Sequence, residues 1–336
     1  DAAHRKGLTT HAVMWPVTAQ ADIDWLLPEV WDLQKWEDPA IIYKKNCSPQ
    51  LFDKYFEKHR FKLGWHPKPE LDEFGVSVAE EVIRNEKPDL AMIHVSAVDI
   101  ARHGNGMFGP AIDDAIRKVD NWLCRLEQAV SESGRFDETN FIIVSDHGHL
   151  KVDKQVNLNV LFKEEGLIQT DDHGELVSYQ AYCHSSGLSA QILLADAADT
   201  EVRKKVEAIL EYAKDTEAFG IKAIYTRREA EEKFQLSGPF EYVVEGVGGV
   251  AFAAKWDGRV VINEEDPDYD YVKTSHGHRP HLGPQPVMLA KGPDFKKNVT
   301  IRECSILDEV PTFAAVLGVE MEGLEGRCLH ELLVRP

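Results

Sequence analysis

Three short apolar runs each border a cluster of Asp and His residues, and this juxtaposition narrows the folds open to the chain. The runs are residues 90–95 (LAMIHV), 141–144 (FIIV) and 286–290 (PVMLA). The first ends at Ser96 and Asp99, the second at Ser145-Asp146-His147-Gly148, and the third follows SHGHRPH at 275–281. Continuous rather than alternating apolar residues predict strands covered on both faces. Between the first two runs, Ile112, Ile116, Val119, Leu123 and Val130 recur at helical spacing, with Gly134 as the stop signal. Leu307, Val310, Phe313, Ala314 and Leu317 predict a last helix capped near Gly318. Strand–helix–strand alternation of this kind predicts an α/β fold, a mostly parallel sheet sandwiched by helices. Such folds place their sites just past the C-terminal ends of the strands.

Both flanks of this pattern carry information. Residues 1–6 read as the tail of a helix closed by Gly7, and 8–15 as a strand ending at Pro16. That is the second half of an α–β unit, so more sequence is expected upstream of Asp1. The middle of the chain reads as a smaller α+β insertion or cap at 152–272, set in a core made of 1–151 and 273–336. It contains an expected strand at 188–195, a helix around 202–213, a strand at 221–225 and hairpins over 240–261, with a turn at Asp257-Gly258.

Composition removes several functions. With 43% apolar residues in 336, the chain buries a sizeable core and is not a disordered tail. A formal charge of −19 repels nucleic-acid polymers and anionic lipid surfaces. No stretch is long and apolar enough to span a membrane, and no signal peptide opens the sequence. Cys47, Cys124, Cys183, Cys304 and Cys328 are odd in number and far apart, which predicts buried free thiols and a cytoplasmic, reducing setting.

Three clusters carry chemistry: Asp99 and His103 (spacing D-x-x-x-H), Asp146 and His147, and His276 with His278 and His281. Carboxylate oxygen and imidazole nitrogen are the ligand set for Zn²⁺, and also serve Mn²⁺ and Fe. Two such metals about 4 Å apart clamp the attacking and leaving oxygens of a phosphoryl transfer. Either Asp–His pair alone reads more readily as an Asp cap beside a hydrogen-bonded His than as a metal site. Their joint position at strand ends favours a metal site.

In order and context the chain resembles the alkaline phosphatase superfamily, and within it the type I phosphodiesterase/nucleotide pyrophosphatases. The motifs are WPVTAQADIDWLLPEVW (15–31), DIARHGNGMFGP (99–110), VSDHGH (144–149), TSHGHRPHLGP (274–284) and LDEVPTFAAVLG (307–318), which together span nearly the whole chain. The resemblance implies an alkaline-phosphatase-like fold and two divalent metal ions, zinc first, manganese or iron as alternatives. One is held by Asp99, His103 and His276, the other partly by Asp146 and His147. The family usually has Gly before the first His; here Arg102 stands there. A further Asp ligand and a Thr or Ser nucleophile are implied upstream of the Trp15-Pro16 motif, so the chain as given is expected to lack both and to be inactive alone. Thr9 and Thr10 sit in a strand pattern and read as β-formers rather than nucleophiles.

His149, His278 and His281 either touch a substrate phosphate, support the metal ligands, or are plain loop residues. Trp15, Trp25 and Trp31 read as packing residues more than as base-stacking platforms. Cys183 beside His184 resembles a thiolate–imidazole pair only by adjacency. The implied activity is hydrolysis of phosphodiester or pyrophosphate bonds in a small, nucleotide-like phosphate ester. The alternatives are a phosphomonoesterase, phosphonate hydrolase or phosphomutase of the same superfamily, or a non-catalytic metal-binding domain. The sequence does not specify an oligomeric state.

Overall fold

The computed structural model describes residues 1–30, 38–63 and 70–335. Trp31 lies outside them. From the N-terminus run α1 (Ala2–Arg5), β1 (Thr10–Val13), β2 (Trp25–Leu27), α2 (Ala40–Asn46), α3 (Pro49–Leu51), α4 (Glu57–His59), α5 (Glu70–Glu86), β3 (Leu90–Ile93), α6 (Ala97–Asn105), α7 (Pro110–Ser133) and β4 (Phe141–Val144). The middle holds β5 (Leu150–Lys151), β6 (Lys154–Val156), α8 (Leu158–Glu164), β7 (Ile168–Thr170), β8 (Leu176–Tyr179), β9 (Ala181–Ser185), β10 (Ser189–Leu194) and α9 (Thr200–Asp215). It continues through β11 (Ile221–Thr226), α10 (Arg227–Phe234), β12 (Tyr242–Gly246), β13 (Val250–Phe252), β14 (Val261–Asn263) and β15 (Thr274–Ser275). β16 (Met288–Lys291) and α11 (Glu309–Leu317) follow.

The chain divides into two compact units. The first comprises the described parts of Asp1–Ile100, Asp113–Asp146 and Val287–Pro336; the second comprises Ala101–Ile112 and His147–Pro286.

In the first unit, β1 lies between β2 and β3 in a parallel sheet, with His11 opposite Trp25 on one side and Ala91 on the other. Every residue of β1 is buried, as expected for a central strand covered on both faces. Phe74, Val78 and Val82, one turn apart on α5, pack with Val13, Leu27, Phe52 and Phe56. Helix α7 takes the predicted place and Gly134 follows it at φ +82°. Gly318 caps α11 in the left-handed region, also as expected.

One pairing differs from expectation. β4 and β16 form an antiparallel pair, Val144 opposite Met288 and Ile142 opposite Ala290, and Ile143 and Leu289 are exposed. The 141–144 and 286–290 runs therefore are not the fully buried parallel strands that their composition suggests. An apolar run of four or five residues is compatible with either direction, and direction is set by the partner.

The second unit is built on an antiparallel sheet of order β11-β12-β10-β9. Val202, Val206, Ile209 and Leu210 of α9 pack with Ile192 and Val244 of this sheet and with Phe162 of α8. Asp199 starts α9 by accepting hydrogen bonds from the backbone N–H groups of Glu201 and Val202. The expected hairpins over 240–261 are absent among the described residues. β12 pairs with β10 and β11, whereas β13 and β14 flank β6 in a separate sheet, β13 parallel and β14 antiparallel. The Gly-rich stretch 246–249 thus carries the chain from one sheet to another. β15 pairs antiparallel with β5, Thr274 opposite Lys151.

Candidate metal centre

Four imidazoles of the second unit gather at the strand-end motifs. His147 and His276 stack with ring centroids 3.7 Å apart. His103 lies 4.9 Å from His149 and 5.2 Å from His276, and His149 lies 5.4 Å from both His147 and His276. Ligand nitrogens of His103 and His149 come within 4.8 Å of each other, as do those of His147 and His276.

Local structure explains the gathering. His103 is on α6, and its Nδ1 donates to the Thr274 carbonyl oxygen at 2.7 Å. A carbonyl only accepts, so Nδ1 carries a proton and Nε2 is the ring nitrogen placed to serve as a ligand. His149, buried, has its Nδ1 at 3.0 Å from the hydroxyl of the same Thr274. Thr274 is itself fully buried on β15, whose partner β5 begins one residue after His149. Gly148 lets His147 and His149 flank a close approach, because a Cβ there would meet the Pro284 carbonyl oxygen at 2.3 Å. The loop carrying His276 is fixed by its backbone: the His276 carbonyl accepts from the Leu188 N–H at 2.8 Å.

The donor set fits a divalent cation. Imidazoles gathered this closely bring several ring nitrogens within reach of one cation. His278 reports the same field: burial first, then the neighbouring His147 and His149, hold its pKa below the ordinary value. His281 is exposed on the short turn Pro280–Leu282. Asp99 precedes His103 by one turn of α6, so the helix presents both on one face. Asp146 directly follows Ser145 at the end of β4, where Ser145 N–H donates to the Val287 carbonyl and Val287 N–H donates to the Ser145 hydroxyl. Both aspartates belong to the first unit and the four histidines to the second.

Other polar residues have structural tasks. The Thr10 hydroxyl donates to Asp24 at 2.8 Å and the Thr9 hydroxyl to Asp89 at 3.0 Å; Thr10 opens β1, in line with its reading as a strand residue, and Thr9 lies just before the strand. Cys183 is buried, its pKa pushed up to about 12 by burial, while His184 points to the exposed face of β9, so they form no thiolate–imidazole pair. Of the five cysteines only Cys47 and Cys183 are buried; Cys124 and Cys304 are exposed, contrary to expectation. The sequence reading missed Thr274, whose one visible signal is a β-branched hydroxyl residue just before SHGH. It also missed Asp72, a buried carboxylate that accepts from the N–H and hydroxyl of Ser96 and so fixes the turn from β3 into α6.

Among the described residues no helix is long and apolar enough to cross a membrane. The profile of the type I phosphodiesterase / nucleotide pyrophosphatase family matches residues 1–279. Two ectonucleotide pyrophosphatase/phosphodiesterases of Caenorhabditis elegans are each 22% identical to the chain. One match covers 83% of this chain and 31% of the relative, the other 70% and 25%. The chain thus spans about a third or less of the length of these curated relatives. Among solved structures, human ectonucleotide pyrophosphatase/phosphodiesterase 5 superposes with a TM-score of 0.65 at 18% identity, covering 99% of this chain and 74% of that one. The murine protein gives 0.63 at 18% identity, covering 99% and 74%. An inactive threonine-to-alanine variant of it, in complex with AMP, gives 0.63 at 18%, covering 99% and 73%. At this identity the likeness establishes the α/β fold.

Proposed function

The chain belongs to the type I phosphodiesterase / nucleotide pyrophosphatase family, and from that premise we propose that it provides the metal-holding part of an enzyme hydrolysing phosphodiester or pyrophosphate bonds of a nucleotide-like ester. The observation that carries the reading is the cluster of His103, His147, His149 and His276 with the His103 tautomer set by Thr274. The motif match assigns Asp99, His103 and His276 to one divalent cation, and Asp146 and His147 to a second, with zinc the first choice over manganese or iron. Such cations, when bound, supply Lewis acidity and positive charge to the phosphoryl group.

The chain's own residues then have defined work. His103 holds its proton on Nδ1 and offers Nε2. Thr274 keeps the His103 and His149 rings from turning. The motif match gives Asp99 and Asp146 the task of supplying carboxylate charge to the cations. His149 and His278 stand where they support the ligands, and exposed His281 is the one open to a substrate phosphate. The AMP complex of the murine relative supports a nucleotide-like substrate. We assign 1–151 and 273–336 to the core and 152–272 to a cap that shapes the leaving-group pocket. A second reading is a metal-binding domain without turnover.

Elemental analysis of protein equilibrated with zinc, followed by turnover of bis-p-nitrophenyl phosphate against p-nitrophenyl phosphate, tests both. Bound metal with diester turnover supports the enzyme, and bound metal without turnover supports the second reading. Protein that takes up no zinc or manganese overturns both.

A further inference from the structure

We propose that Glu245, acting through Arg279, is a positioning residue for His276, so that the end of the β12–β10 sheet sets the geometry of the metal-holding loop. The inference rests on the metal-site reading above.

Glu245 lies on β12 and is 6% exposed. A carboxylate removed from water this far must be paired and hydrogen-bonded. Its Oε1 accepts from Arg279 Nε at 3.1 Å and Nη2 at 2.9 Å, and from Lys222 Nζ at 3.1 Å; its Oε2 accepts from the Tyr225 hydroxyl at 3.2 Å. Burial pushes the carboxyl pKa up, but the Lys222 and Arg279 hydrogen bonds outweigh it and hold it below the ordinary range. Lys222 and Tyr225 come from the neighbouring strand β11 and serve the sheet. Arg279 is different. It belongs to the loop, three residues after His276, and its guanidinium also sits over the Phe234 ring at 5.5 Å.

The same sheet end grips the loop at two further points. Ser189, directly opposite Glu245 in the β10–β12 register, donates from its hydroxyl to the Gly277 carbonyl at 2.7 Å. Its neighbour Leu188 donates to the His276 carbonyl at 2.8 Å. Gly277, at φ +86°, has no room for a Cβ, which would stand 1.9 Å from the Ser186 carbonyl oxygen. Residues 276, 277 and 279 are therefore held by one sheet end. The side chain–side chain link in this set is Glu245–Arg279, the charged pair, and it fixes where the chain goes after His276.

The test is Zn²⁺ affinity of the full chain by competition with a chromophoric chelator, with thermal unfolding measured alongside. Wild type and His276→Ala calibrate the metal site. Glu245→Gln and Arg279→Gln are each expected to weaken zinc binding by about tenfold, with the double variant no worse than either single one. Lys222→Met removes another partner of the same carboxylate and is expected to leave zinc affinity within about twofold. Arg279→Lys keeps the charge and recovers part of the loss. Should Glu245→Gln fail to fold, the half-buried Arg279 variants decide. Wild type that binds no zinc overturns the metal-site reading itself. Zinc binding lost in His276→Ala but unchanged in Arg279→Gln overturns this proposal alone, as does equal weakening by Lys222→Met.

Discussion

The ring of His103 and the backbone carbonyl of Thr274 meet at 2.7 Å although 171 positions separate them. The bond decides which ring nitrogen of His103 faces the other imidazoles, and Thr274 adds its hydroxyl to His149 at 3.0 Å. Thr274→Val is nearly isosteric and keeps the carbonyl while removing the hydroxyl. It leaves His149 Nδ1 buried without that partner, at about 1–3 kcal/mol of stability. Zinc affinity is expected to fall by up to about tenfold as the His149 ring loses its orientation. Thermal unfolding and chelator competition read the two effects separately.

The ligand assignment is open to direct removal. His276→Ala and Asp146→Ala are each expected to lower the zinc or manganese that co-purifies with the protein. Unchanged metal content in both variants, by elemental analysis, would sink the assignment.

Gly277→Ala combines a left-handed backbone with a clash against the Ser186 carbonyl oxygen. A loss of about 2–4 kcal/mol is expected. Gly258, also at positive φ (+86°) but with open space around it, is the control. Gly258→Ala is expected to cost about 1–2 kcal/mol, the backbone share alone. Urea unfolding of both variants checks the difference.

His11 gives the first unit a pH dependence. Burial drives its pKa from 6.5 to about 4, against the hydrogen bond that its Nδ1 makes to the Trp25 carbonyl. The unfolded chain takes up this proton near pH 6.5 and the folded one does not until about pH 4. The unfolded state therefore binds more protons in that window, and stability falls as pH falls through it. The full effect is on the order of 3 kcal/mol. His11→Gln, whatever its stability at pH 7, is expected to flatten the slope of unfolding free energy between pH 7 and 4.5.

Thiol labelling separates the cysteines by burial. Cys124 and Cys304 are expected to react with a disulfide reagent in the native protein, and Cys47 and Cys183 only after denaturation. Burial raises the pKa of both hidden thiols to about 12, which removes thiolate as well as access. Mass spectrometry of peptides after native labelling identifies which sites react.

Features that depend on nearby residues were legible in the sequence. Helical spacing and Gly134 predicted α7, and Gly318 predicted the end of α11. That His103, His147 and His276 come together was legible because each lies beside an expected strand, at the sheet edge where α/β folds collect polar residues. What depends on a distant partner was not. The direction of β16 is decided by β4, and the Gly-rich 246–249 stretch signals a turn without naming the sheet it leads to. Glu245 looks like any strand glutamate until Arg279, 34 positions later, is placed against it. Thr274 is silent for the same reason.

Ser145 and Val287 exchange two hydrogen bonds, so the chain leaves β4 and returns to β16 through a single closed point. Everything from His147 to Pro286 is, in polymer terms, a loop whose ends are already tied. Closure entropy grows only with the logarithm of loop length, about 0.6 kcal/mol for each doubling. Segments of that loop are thus able to lengthen, shorten or be exchanged at small energetic cost to the strand pair that anchors it, so long as Ser145 and Val287 still meet.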